Sequence, residues 1–250
     1  MAVLGKVYLV GAGPGAADLI TVRGARLLGE AEVVLYDALV TPDMLALCPQ
    51  ATLIPVGKRS GQRSTAQAVI NEKLVDCARR YGHVVRLKGG DPMLFGRADE
   101  ELRALEEAGV EVEVVPGITT AVAAAAATLQ PLTKRGVARS VAFFTSSTAP
   151  DQPDQRIAAP PALPETDTLV QYMGGREAAA TAERLLAEGR RPDLPVVIVE
   201  NCSRADQRVQ RLTLADLAHG LDVAHGPVLV MIGEAMAQRP QQAANSRARG

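Results

Sequence analysis

Cysteine and histidine are scarce in this sequence, and neither sign of charge is in surplus. The three cysteines, Cys48, Cys77 and Cys202, lie far apart, form no C-x-x-C pair and have only three histidines to join them. That excludes a disulfide framework and predicts no metal site. Lys plus Arg total 27 against 28 Asp plus Glu, a net charge of -1, so there is no overall basic field of the kind that holds nucleic acid. An anionic ligand must instead be met by local clusters of Arg and Lys. The chain does not open with a basic region, an apolar run and a cleavage site, and its first strand-like segment begins at Val7. The expectation is a cytoplasmic protein. The longest uncharged stretch, from Pro116 to Lys134, is interrupted by Thr and Pro and rich in Ala. It reads as a buried helix of small residues and not as a membrane span.

What is present is a globular composition with a repeating rhythm. At 250 residues and 47% hydrophobic, the chain can fill one large core or two modest ones. Val7–Gly11, a helix over 19–30 and Val33–Tyr36 make a β-α-β start. The alternation continues through 53–56, a helix capped by Thr65 with Ile70, Leu74, Ala78 and Tyr81 on one face, 84–87, a helix over 98–108 ending at Gly109, and 112–115. A second set follows the Ala-rich helix: strands at 141–145, 168–172 and 196–200, a helix over 177–188, a hairpin strand over 209–214 and a strand over 228–232. Two consecutive α/β domains are therefore expected, 1–117 and 118–236. Residues 149–165, with five prolines, read as a surface loop, and 237–250 as a disordered polar tail; neither is expected to carry chemistry.

Gly11-Ala12-Gly13-Pro14-Gly15-Ala16 follows a strand and precedes a helix, with Asp37 at the end of the second strand. The pattern satisfies the loose dinucleotide fingerprint, ribose-binding acid included, and taken alone it would suit a nicotinamide dehydrogenase. Pro14 argues against that, because it removes a backbone N–H where a diphosphate wants donors. A plain tight turn whose glycines allow close packing is the other alternative. Gly89-Gly90-Asp91-Pro92 ends the fourth strand and Pro116-Gly117-Ile118-Thr119-Thr120 ends the fifth. Three glycine loops at one strand-end edge describe a ligand pocket.

The ordered blocks VYLVGAGPG, VVLYD at 33–37, VGKR at 56–59, VVRLKGGDP at 84–92, FGR at 95–97, VVPGIT at 114–119, PLTKRG at 131–136, YMG at 172–174 and VEN at 199–201 resemble the tetrapyrrole methylases. Within them, VGKR and RLKGGDP resemble the uroporphyrinogen-III C-methyltransferases. The resemblance spans about residues 5–235. It implies two consecutive α/β domains of the tetrapyrrole-methylase type with the active site in the inter-domain cleft, a homodimer, and S-adenosylmethionine as co-substrate with S-adenosylhomocysteine as product. A tetrapyrrole would be the substrate, in porphyrin, sirohaem or cobalamin biosynthesis, with no nucleic acid or membrane partner. Position by position, the implied cofactor contacts are Pro14, Gly89, Gly90, Asp91, Leu94, Thr119, Thr120, Met173 and Cys202. The implied proton acceptor and donor are Asp37 and Lys58, and Arg97 and Glu100 match a pair that faces the tetrapyrrole. The chain lacks the dehydrogenase–chelatase region of fused relatives, so methylation alone is expected.

Uroporphyrinogen III carries eight carboxylates, which call for guanidinium and ammonium donors. Lys58, Arg59, Arg63, Arg97, Lys134 and Arg135 are placed in strand-end loops and can supply them. The plainer alternatives are solvated surface charges for the basic residues, a turn or cap for Asp37, a dipole-complementing acid for Glu100 and core packing for Met173. Departures from the family pattern fall at Arg63, Ala98-Asp99, Lys134, Thr145-Ser146-Ser147 and Cys202. At Cys202 the family has Gly, and a backbone contact survives that change if φ is negative.

Overall fold

The computed structural model describes residues 4–57, 67–146, 162–221 and 225–238. The chain divides into two compact units, Met1–Thr120 and Ala121–Gly250, each built on a five-stranded sheet.

The first unit runs β1 (Lys6–Gly11), α1 (Val22–Glu30), β2 (Val33–Tyr36), α2 (Pro42–Leu45), β3 (Thr52–Pro55), α3 (Gln67–Arg80), β4 (His83–Lys88), α4 (Ala98–Glu107) and β5 (Val112–Val115). All five strands are parallel, in the order β3-β2-β4-β1-β5, so both faces of the sheet must be covered. The period of two along each strand divides the apolar residues between the faces. Leu9, Leu35 and Val84 pack with Leu74 and Ala78 of α3 and Leu105 of α4. On the other face Val10, Val34, Val85 and Leu87 pack with Leu27 and Leu28 of α1 and Met44 of α2. Leu28, Leu74 and Leu105 are fully buried, each stabilising the unit by about 1.5–3 kcal/mol. The Gly24 amide donates to the Thr21 hydroxyl at 3.1 Å, which caps α1.

The boundary falls at the first residue of α5 (Thr120–Thr128), after which come β6 (Val141–Thr145), β7 (Thr168–Tyr172), α6 (Ala178–Ala187), β8 (Pro195–Glu200), β9 (Arg208–Thr213), α7 (Leu214–Ala218) and β10 (Val228–Ile232). Their order is β6-β7-β10-β8-β9. β6 and β7 are parallel, whereas β10 runs antiparallel to β7 and β8, and β9 antiparallel to β8. The ends of β6, β7 and β8 therefore share one edge. α5 buries Ala121, Ala123, Ala124 and Thr128, and no helix among the described residues is long and apolar enough to cross a membrane.

The expected elements are present within a residue or two, apart from α1, which starts at Val22 and not at 19, and two short helices that were not expected. α2 and α7, of four and five residues, are too short to show a helical period. α7 nonetheless carries a legible start signal, a capping box in which the Asp216 amide donates to the Thr213 hydroxyl and the Asp216 carboxylate accepts from the Thr213 amide. The Thr65 cap, most of the proline-rich loop (147–161) and the tail beyond 238 lie outside the described residues.

His83 opens β4 and stacks on Tyr8, ring centroids 4.5 Å apart, with its Nε2 buried and unpartnered. Burial holds its pKa below the ordinary 6.5, against the pull of Glu30 and Glu32. Below pH 6.5 the unfolded chain takes up a proton that the folded imidazole still refuses. Stability should thus be fully present above pH 6.5 and decline as pH falls beneath it. Thermal melts from pH 8 to 5 are expected to show that decline in the wild type and a smaller one in His83→Gln.

Candidate functional site

The strand-end edge of the first unit collects, in order across the sheet, Gly57 after β3, Asp37 after β2, Gly89-Gly90-Asp91 after β4, the Gly11–Gly15 loop at the end of β1, and Pro116-Gly117 after β5. Three of these loops are joined directly. Gly13 and Gly90 exchange both amide-to-carbonyl hydrogen bonds, at 3.1 and 2.8 Å, and the Ala12 amide donates to the Lys88 carbonyl at 2.7 Å. A Cβ at Gly117 would stand 2.2 Å from the Gly90 carbonyl oxygen and 2.7 Å from Gly11 Cα, and one at Gly11 would stand 2.5 Å from Gly117 Cα. Gly117→Ala must therefore spread the loops apart. The expected cost is about 1–3 kcal/mol, read as a lowered denaturant midpoint.

Asp91 fastens the same edge. Its Oδ1 accepts from the Met93 amide at 2.8 Å and its Oδ2 from the Gly117 amide at 2.9 Å. The Leu94 amide donates to the Asp91 carbonyl at 3.3 Å, folding the GGDP loop into a turn in which Leu94 faces back on Asp91. Gly90 has φ +68°, and a Cβ there would meet nothing within 4 Å. The space beside Gly90 is thus unfilled by the neighbouring loops. Pro14 stands between Gly13, φ +74°, and Gly15, φ +154°, and the Thr41 hydroxyl donates to the Gly15 carbonyl at 3.1 Å. Thr119 and Thr120 carry the chain from β5 into α5.

Beside the glycine loops lies a line of charges. Asp37, just past β2, accepts from Arg86 Nη2 through its Oδ1. Arg86 Nε donates to Glu101 Oε1 at 3.0 Å, and Lys88 Nζ to Glu101 Oε2 at 2.8 Å. The Arg86, Lys88 and Glu101 side chains are 3%, 3% and 0% exposed, whereas Asp37 is 27% exposed. Burial acts to lower the Arg86 pKa, but the adjoining Asp37 and Glu101 carboxylates outweigh it and hold the guanidinium above its ordinary value. For Lys88, burial and then the Arg86 charge prevail over Glu101, and its ammonium is pushed below the ordinary range. Gly57 lies against the same point, since a Cβ there would come 2.1 Å from the Ala38 amide nitrogen. That close approach accounts for the glycine of VGKR.

Arg97 precedes α4 in the left-handed region, φ 53°, and its Nε donates to Glu100 Oε1 at 2.7 Å and its Nη2 to Glu100 Oε2 at 3.0 Å. The pair is two-pronged and about one third exposed. Glu100 is thus bound to a neighbour, beyond being a solvated acid at a helix start.

The second unit gathers Met173 and Cys202 at the edge where β6, β7 and β8 end. Met173 has φ 57° and is 48% exposed, so it is no core filler. Cys202 is 3% exposed and is not among the positive-φ residues, although Asn201 and Ser203 on either side are. The family's Gly→Cys change therefore leaves a permitted backbone here. Burial pushes the Cys202 thiol up to about 11 and raises those of Cys48 and Cys77. Native protein should react with none of its three thiols on the timescale in which a denatured sample reacts with all of them, as counted with a chromogenic disulfide. Beneath Met173, Gln171 Nε2 donates to Ser146 Oγ at 3.2 Å and Thr181 Oγ1 at 2.9 Å.

Lys134 and Arg135 require a correction. They occupy a tight turn closed by paired Lys134 and Ala138 backbone bonds at 2.9 and 2.8 Å, and the adjoining Leu132 carbonyl accepts from the hydroxyl of Thr168, the first residue of β7, at 2.8 Å. The turn leads into β6, so it stands at the strand-start edge of the second unit, opposite Met173 and Cys202, and not in a strand-end loop. Both residues are exposed. Lys58, Arg59 and Arg63 lie outside the described residues. Among the described residues no group of His, Cys, Asp or Glu is arranged to hold a metal ion.

Arg86, Lys88 and Glu101 were given no role from sequence. A usable signal exists for the first two. Charges two residues apart inside an apolar strand of a parallel sheet share one buried face, and a buried charge needs a partner. For Glu101 the signal is helix phase alone, since it stands three residues after Ala98 and four before Leu105 on the buried face, and its neighbours Asp99 and Glu100 do not.

Comparison with known proteins identifies the family. The family model described as Tetrapyrrole (Corrin/Porphyrin) Methylases matches residues 6–218. A siroheme synthase of Tolumonas auensis is 47% identical over 234 residues, covering 93% of this chain and 50% of that protein. The chain thus spans about half the length of the curated relatives it matches. Among solved structures, the uroporphyrin-III C-methyl transferase of Thermus thermophilus complexed with S-adenyl homocysteine is 41% identical with a TM-score of 0.77, covering 92% of this chain and 98% of that one. Cobalt precorrin-4 methyltransferase, a cobalamin biosynthetic enzyme, is 28% identical with a TM-score of 0.77, covering 93% and 96%.

Proposed function

The chain belongs to the tetrapyrrole (corrin/porphyrin) methylases, and from that premise we propose that it methylates uroporphyrinogen III at two pyrrole carbons, C2 and C7, to give precorrin-2. The observation that carries the reading is the strand-end edge of the first unit, where the space beside Gly90 is open and a carboxylate 27% exposed, Asp37, follows the neighbouring strand. S-Adenosylmethionine, when bound, supplies an electrophilic methyl on a good neutral leaving group. The relative solved with S-adenyl homocysteine supports that co-substrate, and membership of the family removes the nicotinamide reading of the Gly11–Asp37 pattern.

In this reading Pro14, Gly89, Gly90, Asp91, Leu94, Thr119 and Thr120 in the first unit and Met173 and Cys202 in the second contact the cofactor, mostly through backbone. Holding two reactants in attack geometry can contribute about 7–11 kcal/mol. The remaining task is a proton. Methylation of a pyrrole carbon leaves a cationic, imine-like ring that regains conjugation by losing a proton, and Asp37 or Glu100 accepts it while Lys58 serves as donor. Arg97, with Lys58, Arg59 and Arg63, meets the substrate carboxylates. A homodimer is part of the same reading.

The test is anaerobic incubation of the protein with uroporphyrinogen III and S-adenosylmethionine, followed by absorbance and product mass. A gain of two methyl groups with release of S-adenosylhomocysteine is the expected result. Tight cofactor binding without methylation would move the substrate to a later precorrin, a second reading favoured by the likeness to the cobalt precorrin-4 enzyme.

A further inference from the structure

The proposed chemistry uses Asp37, Arg97 and Glu100 but leaves unexplained the charges beneath them. We propose that Arg86, Glu101 and Lys88 are positioning residues, a buried truss that fixes the Asp37 carboxylate to the first turn of α4 and so sets its placement relative to Arg97 and Glu100. The proposal rests on the methyltransferase reading of this site.

The first argument is cost. Burying an ion pair in a sheet's apolar face is often no more stabilising than filling the same space with apolar side chains. Arg86 nevertheless sits in β4, paired in register with Leu9 of β1 and Leu35 of β2, in the middle of a face that is otherwise Val, Leu and Ile. A fold alone would be served by Leu or Met at these positions.

The second argument is direction. Three members of the set are sealed in the interior, and the fourth, Asp37, emerges at the strand-end edge. The guanidinium makes this possible by pointing Nη2 at Asp37, Nε at Glu101 and Nη1 at the Leu87 carbonyl, 3.1 Å away. A planar fork bonded on three sides has little freedom to rotate, and it passes that constraint to Asp37. At its other end the truss reaches α4. Glu101 is held by Lys88 as well as Arg86, and by Gln67 of α3, whose Nε2 donates to Oε1 at 3.4 Å. The next residue of α3 on that face, Asn71, donates to the Glu100 carbonyl at 3.1 Å. The first turn of α4 therefore carries the inward Glu101 and the outward Glu100 on adjacent residues, and the pair Arg97–Glu100 cannot shift without moving the anchor of Asp37. Two carboxylates from distant parts of the chain are thus tied to one rigid unit.

Two variants test this. Arg86→Met/Lys88→Met/Glu101→Leu replaces the whole buried set with apolar side chains and keeps Asp37, Arg97 and Glu100. It is expected to melt at or above the wild-type temperature and to bind S-adenosylhomocysteine as the wild type does, yet to show kcat for uroporphyrinogen III about 10²-fold lower with KM little changed, the size of loss that a misplaced reacting group produces. Arg86→Lys keeps the charge and loses the fork. It is expected to stay folded if the triple variant does not, with kcat reduced in the same direction. A crystal structure of whichever variant folds is expected to show Asp37 in more than one side-chain rotamer over an unchanged backbone. A folded variant that turns over at the wild-type kcat, or that holds Asp37 in its wild-type rotamer, overturns the proposal. Should the wild type methylate no tetrapyrrole while Asp37 still loses its fixed rotamer in the variant, the truss stands and the substrate assignment fails.

Discussion

Glu101→Ala is expected to destabilise the first unit by about 3–5 kcal/mol, the usual penalty for removing one partner of a buried ion pair. The side chain is 0% exposed and accepts from two cations, Arg86 and Lys88. Without it, both remain in the apolar face with only the partly exposed Asp37 to balance them. Water cannot easily replace the lost carboxylate in a face packed with Leu9, Leu35, Leu74 and Leu105. Lys88, already pushed below its ordinary pKa by burial and by Arg86, loses the larger of the two carboxylate interactions that counter them, so part of the penalty would be relieved by its losing a proton. Equilibrium urea unfolding should show the loss as a lower midpoint at unchanged slope. Arg97→Ala offers the contrast. Its pair with Glu100 is about one third exposed, and exposed pairs contribute roughly 0–1 kcal/mol. A Glu101→Ala variant as stable as Arg97→Ala would mean that the buried charges are not paired as described.

The same contrast explains what could be read in the sequence. Element positions were legible because a parallel sheet buried on both faces leaves each strand as a short apolar run, as at Val7–Val10 and Val84–Leu87, and Gly109 marks a helix end; the cap at Thr21 was not read, and the first helix was expected to start at 19. The loops were legible because Gly11 and Gly117 must be glycine for the backbones to meet, and Gly90 holds a positive φ. Composition does not encode pairing. Arg86 and Lys88 could be recognised as same-face charges in a buried strand, but their partner Glu101 is one of three consecutive acids at the start of α4, and only the helix phase turns it inward. Lys134 and Arg135 were misplaced for a different reason. The motif PLTKRG, a turn through Gly136, whose φ is +75°, precedes the strand at 141–145, so chain order alone puts it at a strand start, and the expectation of a strand-end loop overlooked that order. The direction of β10 was hidden, because an apolar run such as Val228–Ile232 reads alike in parallel and antiparallel sheets.

The effect expected on activity is larger still for the carboxylates themselves. Of Asp37→Asn and Glu100→Gln, at least one should lower turnover by about 10²–10⁴-fold, the usual contribution of a positioned general base. Both substitutions keep the shape of the side chain and remove its capacity to hold a proton. The geometry makes the two outcomes distinguishable. Glu100 is held by both prongs of Arg97, at 2.7 and 3.0 Å, so Glu100→Gln, which loses the charge and one of the two acceptors, loosens the placement of Arg97 and should raise KM for a polycarboxylate substrate as well as lowering kcat. Asp37 is held by Arg86, which is itself sealed from solvent, so Asp37→Asn should act on kcat with KM little moved. Single-turnover measurements under anaerobic conditions, with cofactor binding checked by calorimetry, separate these cases. If both variants bind cofactor and methylate at near the wild-type rate, neither carboxylate is the proton acceptor, and the base must be sought at Lys58 or in bound water.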